Sequence, residues 1–183
     1  MNELTFITSN KGKYEECKQF FPELQQEEVD LPEIQSLKPE EIIKEKLLKA
    51  KKEIPRKALI VEDTSLLIKG LGGLPGPFIK WFIKAMGPEN LARTAILSGD
   101  PSAIALVKIG YLNKKGNITF FEGRSKGSIV LPRGSNGFGW DTIFLPEGEE
   151  RTFGEMSREE KKAISMRGKA CKQLRDHLKK EDD

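Results

Sequence analysis

The chain has 183 residues, with 31 Lys and Arg against 28 Asp and Glu for a net charge of +3, and 37% of it is hydrophobic. That is enough apolar mass for one domain, spanning 1–183, with a real core. One His and two Cys exclude a disulfide framework and a structural zinc cage, and any histidine relay would have to run through His177. No apolar run approaches the roughly 18–20 residues of a membrane helix, and the first residues lack a signal-peptide pattern. A cytoplasmic protein with no membrane partner is therefore expected. Catalysis, if present, falls to carboxylates, lysines, arginines and backbone amides, which points toward phosphate chemistry with a hard metal ion.

Leu4–Thr8 reads as a β-strand that ends in the polar loop Ser9-Asn10-Lys11-Gly12, followed by a helix over Lys13–Phe21. This layout aims helix N-terminal amides at an anion. Thr8, Ser9, Asn10, Lys11, Gly12 and Lys13 suit a polyphosphate, although the same residues also read as an ordinary capped helix start. Pro39 opens a second helix with Glu40 and Glu41 in its first turn and lysines toward its end, as the helix dipole favours. The interleaved charges of that helix read as a solvated face, and with no concentrated basic stripe elsewhere a nucleic-acid partner is not expected.

Ala58–Val61 reads as a buried strand stopping at Glu62-Asp63-Thr64-Ser65, which would place two acids at the carboxyl edge of the sheet, where ligands of α/β sheets bind. Together with Glu33, they could hold Mg²⁺ through oxygen ligands, and one of them could take a proton from water. A surface turn is the plainer alternative. The Gly and Pro density of Gly70–Pro77 argues against regular structure there. Ile79–Met86 and Pro88–Leu97 read as helices, Ser102–Leu112 and Asn117–Glu122 as a hairpin turning through Asn113–Gly116, and Gly127–Leu131 as a further strand.

In the Gly-rich loop Arg133–Asp141, Phe138, Gly139, Trp140 and Asp141 could stack on a flat ring and read a donor on its edge, or could be two core aromatics in a loop hinge. A last helix begins at Ser157, with a capping box to Glu160, and buries a stripe of Ala163, Ile164, Ala170, Cys171, Leu174 and Leu178. Lys161 and Ser165 would share one face of it, near Arg167, unless all three belong to a solvated face. Alternating strands and helices with a central hairpin predict an α/β domain built on a mixed sheet.

Taken in order, Thr8-Ser9-Asn10…Lys13, Asp30-Leu31-Pro32-Glu33, Val61-Glu62-Asp63-Thr64, the run Leu71–Phe82, Phe138-Gly139-Trp140-Asp141 and Glu160-Lys161…Ser165-Met166-Arg167 resemble the inosine triphosphate pyrophosphatase family, the Ham1-like nucleoside-triphosphate pyrophosphatases. The resemblance implies an elongated mixed β-sheet flanked by helices, with two lobes around a central cleft, and a homodimer. It implies Mg²⁺-dependent hydrolysis of ITP, dITP and XTP to the monophosphate and pyrophosphate, with Mn²⁺ as a possible substitute. By position, Thr8, Ser9, Asn10, Lys11, Gly12, Lys13, Lys46 and Lys161 would hold phosphates. Glu33 and Asp63 would bind the metal, Asp63 would serve as general base with Glu62 assisting, and Thr64 and Lys80 would lie at the substrate. Phe138, Gly139, Trp140, Asp141, Met166 and Arg167 would form the base pocket. The family carries Ser-His-Arg where this chain has Ser165-Met166-Arg167, and Met cannot hydrogen-bond as imidazole does. Altered base preference, or nucleotide binding without turnover, is the alternative that this substitution raises.

Overall fold

The computed structural model describes residues 4–182 apart from Asp30, Pro32 and Arg56. Among the described residues there are seven strands, β1 (Leu4–Ile7), β2 (Gln25–Glu27), β3 (Ala58–Ile68), β4 (Pro75–Gly76), β5 (Ser102–Leu112), β6 (Ile118–Ile129) and β7 (Phe144–Pro146). They form one mixed sheet in the order β2-β1-β3-β5-β6-β7, with β4 paired to β3. The α-helices among the described residues are α1 (Lys11–Lys18), α2 (Pro39–Glu53), α3 (Ile79–Leu97), α4 (Arg158–Ile164) and α5 (Met166–Asp182). The mixed α/β architecture expected from the sequence is what forms. Among the described residues, no helix is long and apolar enough to cross a membrane.

The chain divides into two compact units. The first comprises residues 1–63, 107–123 and 167–183, and the second residues 64–106 and 124–166. In the first unit, β1 pairs in parallel with β2 and with β3, Thr5 facing Gln25 on one side and Leu59 on the other. Parallel strands need a crossover, and α1 and α2 provide those crossovers. On α2, Ile42, Ile43, Lys46, Leu47 and Ala50 are buried, the spacing of a single helical face. Ile43, Leu47 and Ala50 pack with Ile7, Leu59, Val61 and Leu112 into one apolar cluster. The hairpin between β5 and β6 closes through Asn113, whose side-chain carbonyl accepts from the amides of Lys115 and Asn117, both at 3.0 Å.

In the second unit, β3 runs on past its acidic pair. After Ile68 the chain turns through Gly72 and Gly73, both at positive φ (64° and 91°), and β4 returns antiparallel with Leu66 opposite Gly76. A β-branched or bulky residue would strain that turn. The segment Gly70–Pro77, expected to lack regular structure, thus contains a two-residue strand and a 3-10 turn, because its glycines make a tight return rather than an open loop. α3 is two helices broken at Gly87 (φ 75°, ψ 165°), just before Pro88, as the sequence indicated.

Four other expectations change. Glu62 and Asp63 do not end a strand: β3 continues five residues further, carried by the apolar and β-branched run after them. α1 starts at Lys11 and stops at Lys18 rather than spanning 13–21. The strands read at 117–122 and 127–131 are one strand, β6, that runs through its glycines. The last helix is two, since Ser165 adopts an extended backbone (φ −70°, ψ 153°) while its amide closes α4 on the carbonyl of Lys161. That break dissolves the proposed stripe: Ala170, Cys171 and Leu174 are buried, Ile164 and Leu178 only partly, and Ala163 is exposed. The three-residue strands β2 and β7 carry too little pattern to be seen in sequence.

Close packing in the first unit has a direct consequence at Gly110, where a Cβ would lie 2.3 Å from Ile43 Cγ2 and 2.8 Å from Leu47 Cδ1. Gly110→Ala is expected to lose about 2 kcal/mol of stability through overpacking, measured as a lower urea midpoint with an unchanged slope.

Candidate active site

The centre of the first unit is a buried carboxylate. Successive side chains of a strand point to opposite faces, so Glu62 and Asp63 diverge from adjacent positions on β3. Glu62 accepts from Arg167 Nε at 2.8 Å and from Arg167 Nη2 at 2.9 Å, a two-pronged contact from α5. Lys13 Nζ of α1 lies 3.1 Å from Glu62 Oε1. Arg167 Nη1 also donates to Glu16, one turn after Lys13 on α1. Burial alone would push Glu62 up, but Arg167 and Lys13 outweigh it and hold the carboxyl at about 2.

Lys13 is placed by the loop before it. The Thr8 hydroxyl accepts from the Asn10 amide at 3.1 Å, and the Asn10 side chain caps α1 by accepting from the Lys13 amide at 3.0 Å. Ser9 and Lys11 are exposed beside this cap, while Gly12 and Lys13 are partly buried. The loop thus forms the capped helix start that was one of its two sequence readings.

Asp63 faces the other way, beside α2. Lys46, the single polar residue in the buried face of α2, donates to Glu33 Oε1 at 2.8 Å. Burial pushes Asp63 up to about 6; the pull of Lys13 and Lys46 opposes this, while Glu62 and Glu33 add to it. The Oδ2 atom of Asp63 is buried and accepts no hydrogen bond among the described residues. A buried carboxylate oxygen left without a donor is costly, and a hard cation is the partner that would relieve it. The charge of Glu33 adds to the rise of Asp63, and these two carboxylates are the oxygen donors that would hold Mg²⁺. Among the described residues no three His, Cys, Asp or Glu side chains cluster to hold a metal. Mg²⁺ commonly uses one or two carboxylates and takes its remaining ligands from phosphates and water. Asp30 and Pro32, neighbours of Glu33 in its motif, lie outside the described residues.

The second unit holds a separate group of the expected residues. Lys161, buried on α4, donates to Asp141 Oδ2 at 2.6 Å, and the Phe138 amide donates to the same oxygen at 2.8 Å. The Lys161 ammonium sits 5.1 Å from the Phe138 ring centre and 5.4 Å from that of Phe153, within cation–π range. Gly137 (φ 78°) makes the turn possible, since a Cβ there would lie 2.1 Å from Asp141 Oδ2. Phe138 is half-buried, but Trp140 is 7% exposed and packs edge-on against Phe144 at 5.6 Å. Of the two readings open for this loop, the core-aromatic one holds at Trp140, whose ring belongs to the core. Gly139 is exposed and Thr64 half-buried. Lys80 is exposed, with its ammonium 5.1 Å above the Trp81 ring. Met166 is buried, at 1% exposure, and Ser165 caps α4 instead of sharing a helical face with Lys161.

The structure thus groups Lys13, Glu62 and Arg167 on one face of β3 and Asp63, Lys46 and Glu33 on the other, and sets Lys161 with Asp141 and Phe138. Two residues escaped the sequence reading. Glu16 completes the surroundings of Arg167, and its i+3 spacing from Lys13 was the available signal. Phe153 forms the second ring beside Lys161, and nothing in its local sequence marks it.

A capped helix with its lysine on a buried glutamate, and a raised aspartate beside a lysine–glutamate pair, define an α/β protein with buried, charge-matched carboxylates on its central strand. The comparisons narrow that class. The Ham1 family model matches residues 4–177, and the chain belongs to the Ham1 family. The inosine triphosphate pyrophosphatase of Schizosaccharomyces pombe is 41% identical over 186 residues, covering 99% of this chain and 97% of that protein. The Staphylococcus aureus Ham1 protein superposes with a TM-score of 0.83 at 27% identity, over 98% of this chain and 99% of its own. A nucleoside-triphosphatase from Mycobacterium abscessus, described as a dITP/XTP pyrophosphatase, gives a TM-score of 0.68 at 27% identity over 94% of this chain and 98% of its own.

The two carboxyls of β3 should leave opposite signatures in stability. Asp63 ionises near pH 6 when folded, against an ordinary value of 3.8, so between these values the native state holds a proton that the unfolded chain has released. Stability then falls as pH rises through that window. Glu62, held at about 2 against 4.5, stabilises the fold above pH 4.5 and loses that contribution as pH drops toward 2. Without added metal, Asp63→Asn is expected to be about 2–3 kcal/mol more stable than the parent at pH 7.5, the difference vanishing below pH 4. Urea titrations across this range measure it.

Proposed function

We propose that this protein hydrolyses ITP, dITP and XTP to the nucleoside monophosphate and pyrophosphate, removing deaminated purines from the nucleotide pool. The reading is supported by membership of the Ham1 family, by the named activity of the Schizosaccharomyces pombe relative, and above all by the buried, hydrogen-bond-free Oδ2 of Asp63 beside Lys46 and Glu33. We further take the enzyme to act in the cytoplasm and, as the family resemblance implies, as a homodimer.

In the reaction, the oxygen of a water bonds to the α-phosphorus while the bond from that phosphorus to the oxygen bridging the α- and β-phosphates breaks. Asp63 accepts the proton released by the water. In the metal-free protein burial raises Asp63 to about 6, so it is largely ionised at neutral pH, the state in which a carboxylate can accept a proton. Glu33 and Asp63 are the residues that would hold Mg²⁺, which when bound neutralises phosphate charge and makes the phosphorus easier to attack. Lys13 and Lys46 offset the charge that builds on the departing pyrophosphate, and the Thr8–Lys13 loop orients phosphate oxygens at the start of α1. Glu62 keeps Lys13 in place and ionised, with Arg167 as its own anchor.

Selectivity for 6-oxo purines calls for a donor matched to a carbonyl oxygen, the role that the resemblance gives to Arg167. Adenine carries an amino donor at that position, and two opposed donors in a buried site discriminate by several kcal/mol as an order of magnitude.

Pyrophosphate release measured with ITP, XTP, dITP, GTP and ATP, with and without Mg²⁺, tests the reading directly. Mg²⁺-dependent release that favours the first three is expected, and no release from any of the five would overturn it. Asp63→Asn should cut ITP turnover by about 10²- to 10⁴-fold while ITP binding persists; a variant with parental turnover would remove Asp63 as the base. Met166→His, restoring the imidazole that the resemblance associates with this position, should raise the ITP-to-GTP rate ratio.

A further inference from the structure

The chain has only two cysteines, and the fold brings them together. Cys17 of α1 and Cys171 of α5 are both fully buried, with their sulfurs 3.5 Å apart although they stand 154 residues apart in sequence. Neither takes part in the reaction proposed above, and the sequence alone gave no reason to pair them. We propose that Cys17 and Cys171 form an oxidisable dithiol, converted by hydroperoxides into an intramolecular disulfide that fastens α1 to α5.

The geometry carries the argument. A disulfide brings its sulfurs to about 2.05 Å, so the thiols need to approach by about 1.5 Å, on the scale of a side-chain adjustment. Cys171 lies one helical turn after Arg167, and Cys17 directly follows Glu16. The new bond would run beside the Arg167–Glu16 ion pair and join the same two helices. Two electrons must leave. Hydrogen peroxide oxidises one thiol to a sulfenic acid, its O–O bond breaking and one water departing. The sulfur of the second thiol then displaces the sulfenic oxygen, which leaves as a second water with that thiol's proton. The hydrogen bond to Cys171, followed by burial, pushes the Cys17 thiol up. A protonated, buried thiol reacts slowly, so the pair stays reduced in the closed fold and oxidises through local openings that admit a small peroxide.

The bond would close a loop covering most of the chain, and long loops lose the most unfolded-state freedom when closed. Native protein held with excess hydrogen peroxide should lose about 2 Da, the mass of two hydrogens in the thiol-to-disulfide conversion, and yield a linked peptide pair containing Cys17 and Cys171 on digestion. Its Tm should rise by several degrees and return to the starting value with dithiothreitol. Cys17→Ala and Cys171→Ala should each abolish both the link and the shift. Two thiols still titratable after the treatment, oxygen added to a single cysteine, or a bond between two chains would each overturn the proposal. Peptide mapping of the parent decides the matter even if a variant fails to fold, and none of these readouts depends on nucleotide hydrolysis.

Discussion

Glu62 is the residue on which the first unit turns. Placing a carboxylate in the interior of a strand costs several kcal/mol unless its charge is matched there. Here it is matched from two helices, by Lys13 of α1 and by both prongs of Arg167 of α5. That pairing ties the amino-terminal helix, the central strand and the carboxy-terminal helix into one electrostatic unit. It also fixes the position of Lys13. Removing one partner would leave the others charged and buried, so the arrangement is specific at the expense of tolerance to change.

The neighbouring residue has the opposite character. Asp63 is buried with no hydrogen-bonded partner for its Oδ2 among the described residues, and burial moves its ionisation toward neutrality. One strand thus presents a carboxylate stabilised in its charged form and another destabilised in it, separated by a single step of the pleat. Two carboxyls with divergent acidities are the arrangement from which acid–base roles can be assigned.

How far this was legible in the sequence differs from residue to residue. Asn10, three residues before Lys13, announced a helix cap, and the cap is there, because capping depends on neighbours within one turn. The opening Pro39 and the end charges of α2 were equally local, but its interleaved charges read as a solvated face, and the burial of Lys46 emerges only from packing. The length of β3 was not legible: adjacent acids read as a strand end, and the partner that lets Glu62 continue inside the sheet comes from 105 residues away. Trp140 stayed undecided for a related reason, since glycines beside an aromatic ring do not tell whether the ring meets solvent or Phe144. The two short edge strands owe their existence to pairing and carry no periodicity of their own.

The two tryptophans of the chain end in opposite surroundings. Trp140 is enclosed against Phe144, whereas Trp81 is half-exposed, with the ammonium groups of Lys80 and Lys84 at 5.1 and 5.7 Å from its ring. The intrinsic fluorescence therefore has a blue, shielded component and a red, accessible one. The local positive charge would draw iodide to the accessible ring and repel caesium, so ionic quenchers can separate the emission of the surface of α3 from that of the core around the Gly-rich loop.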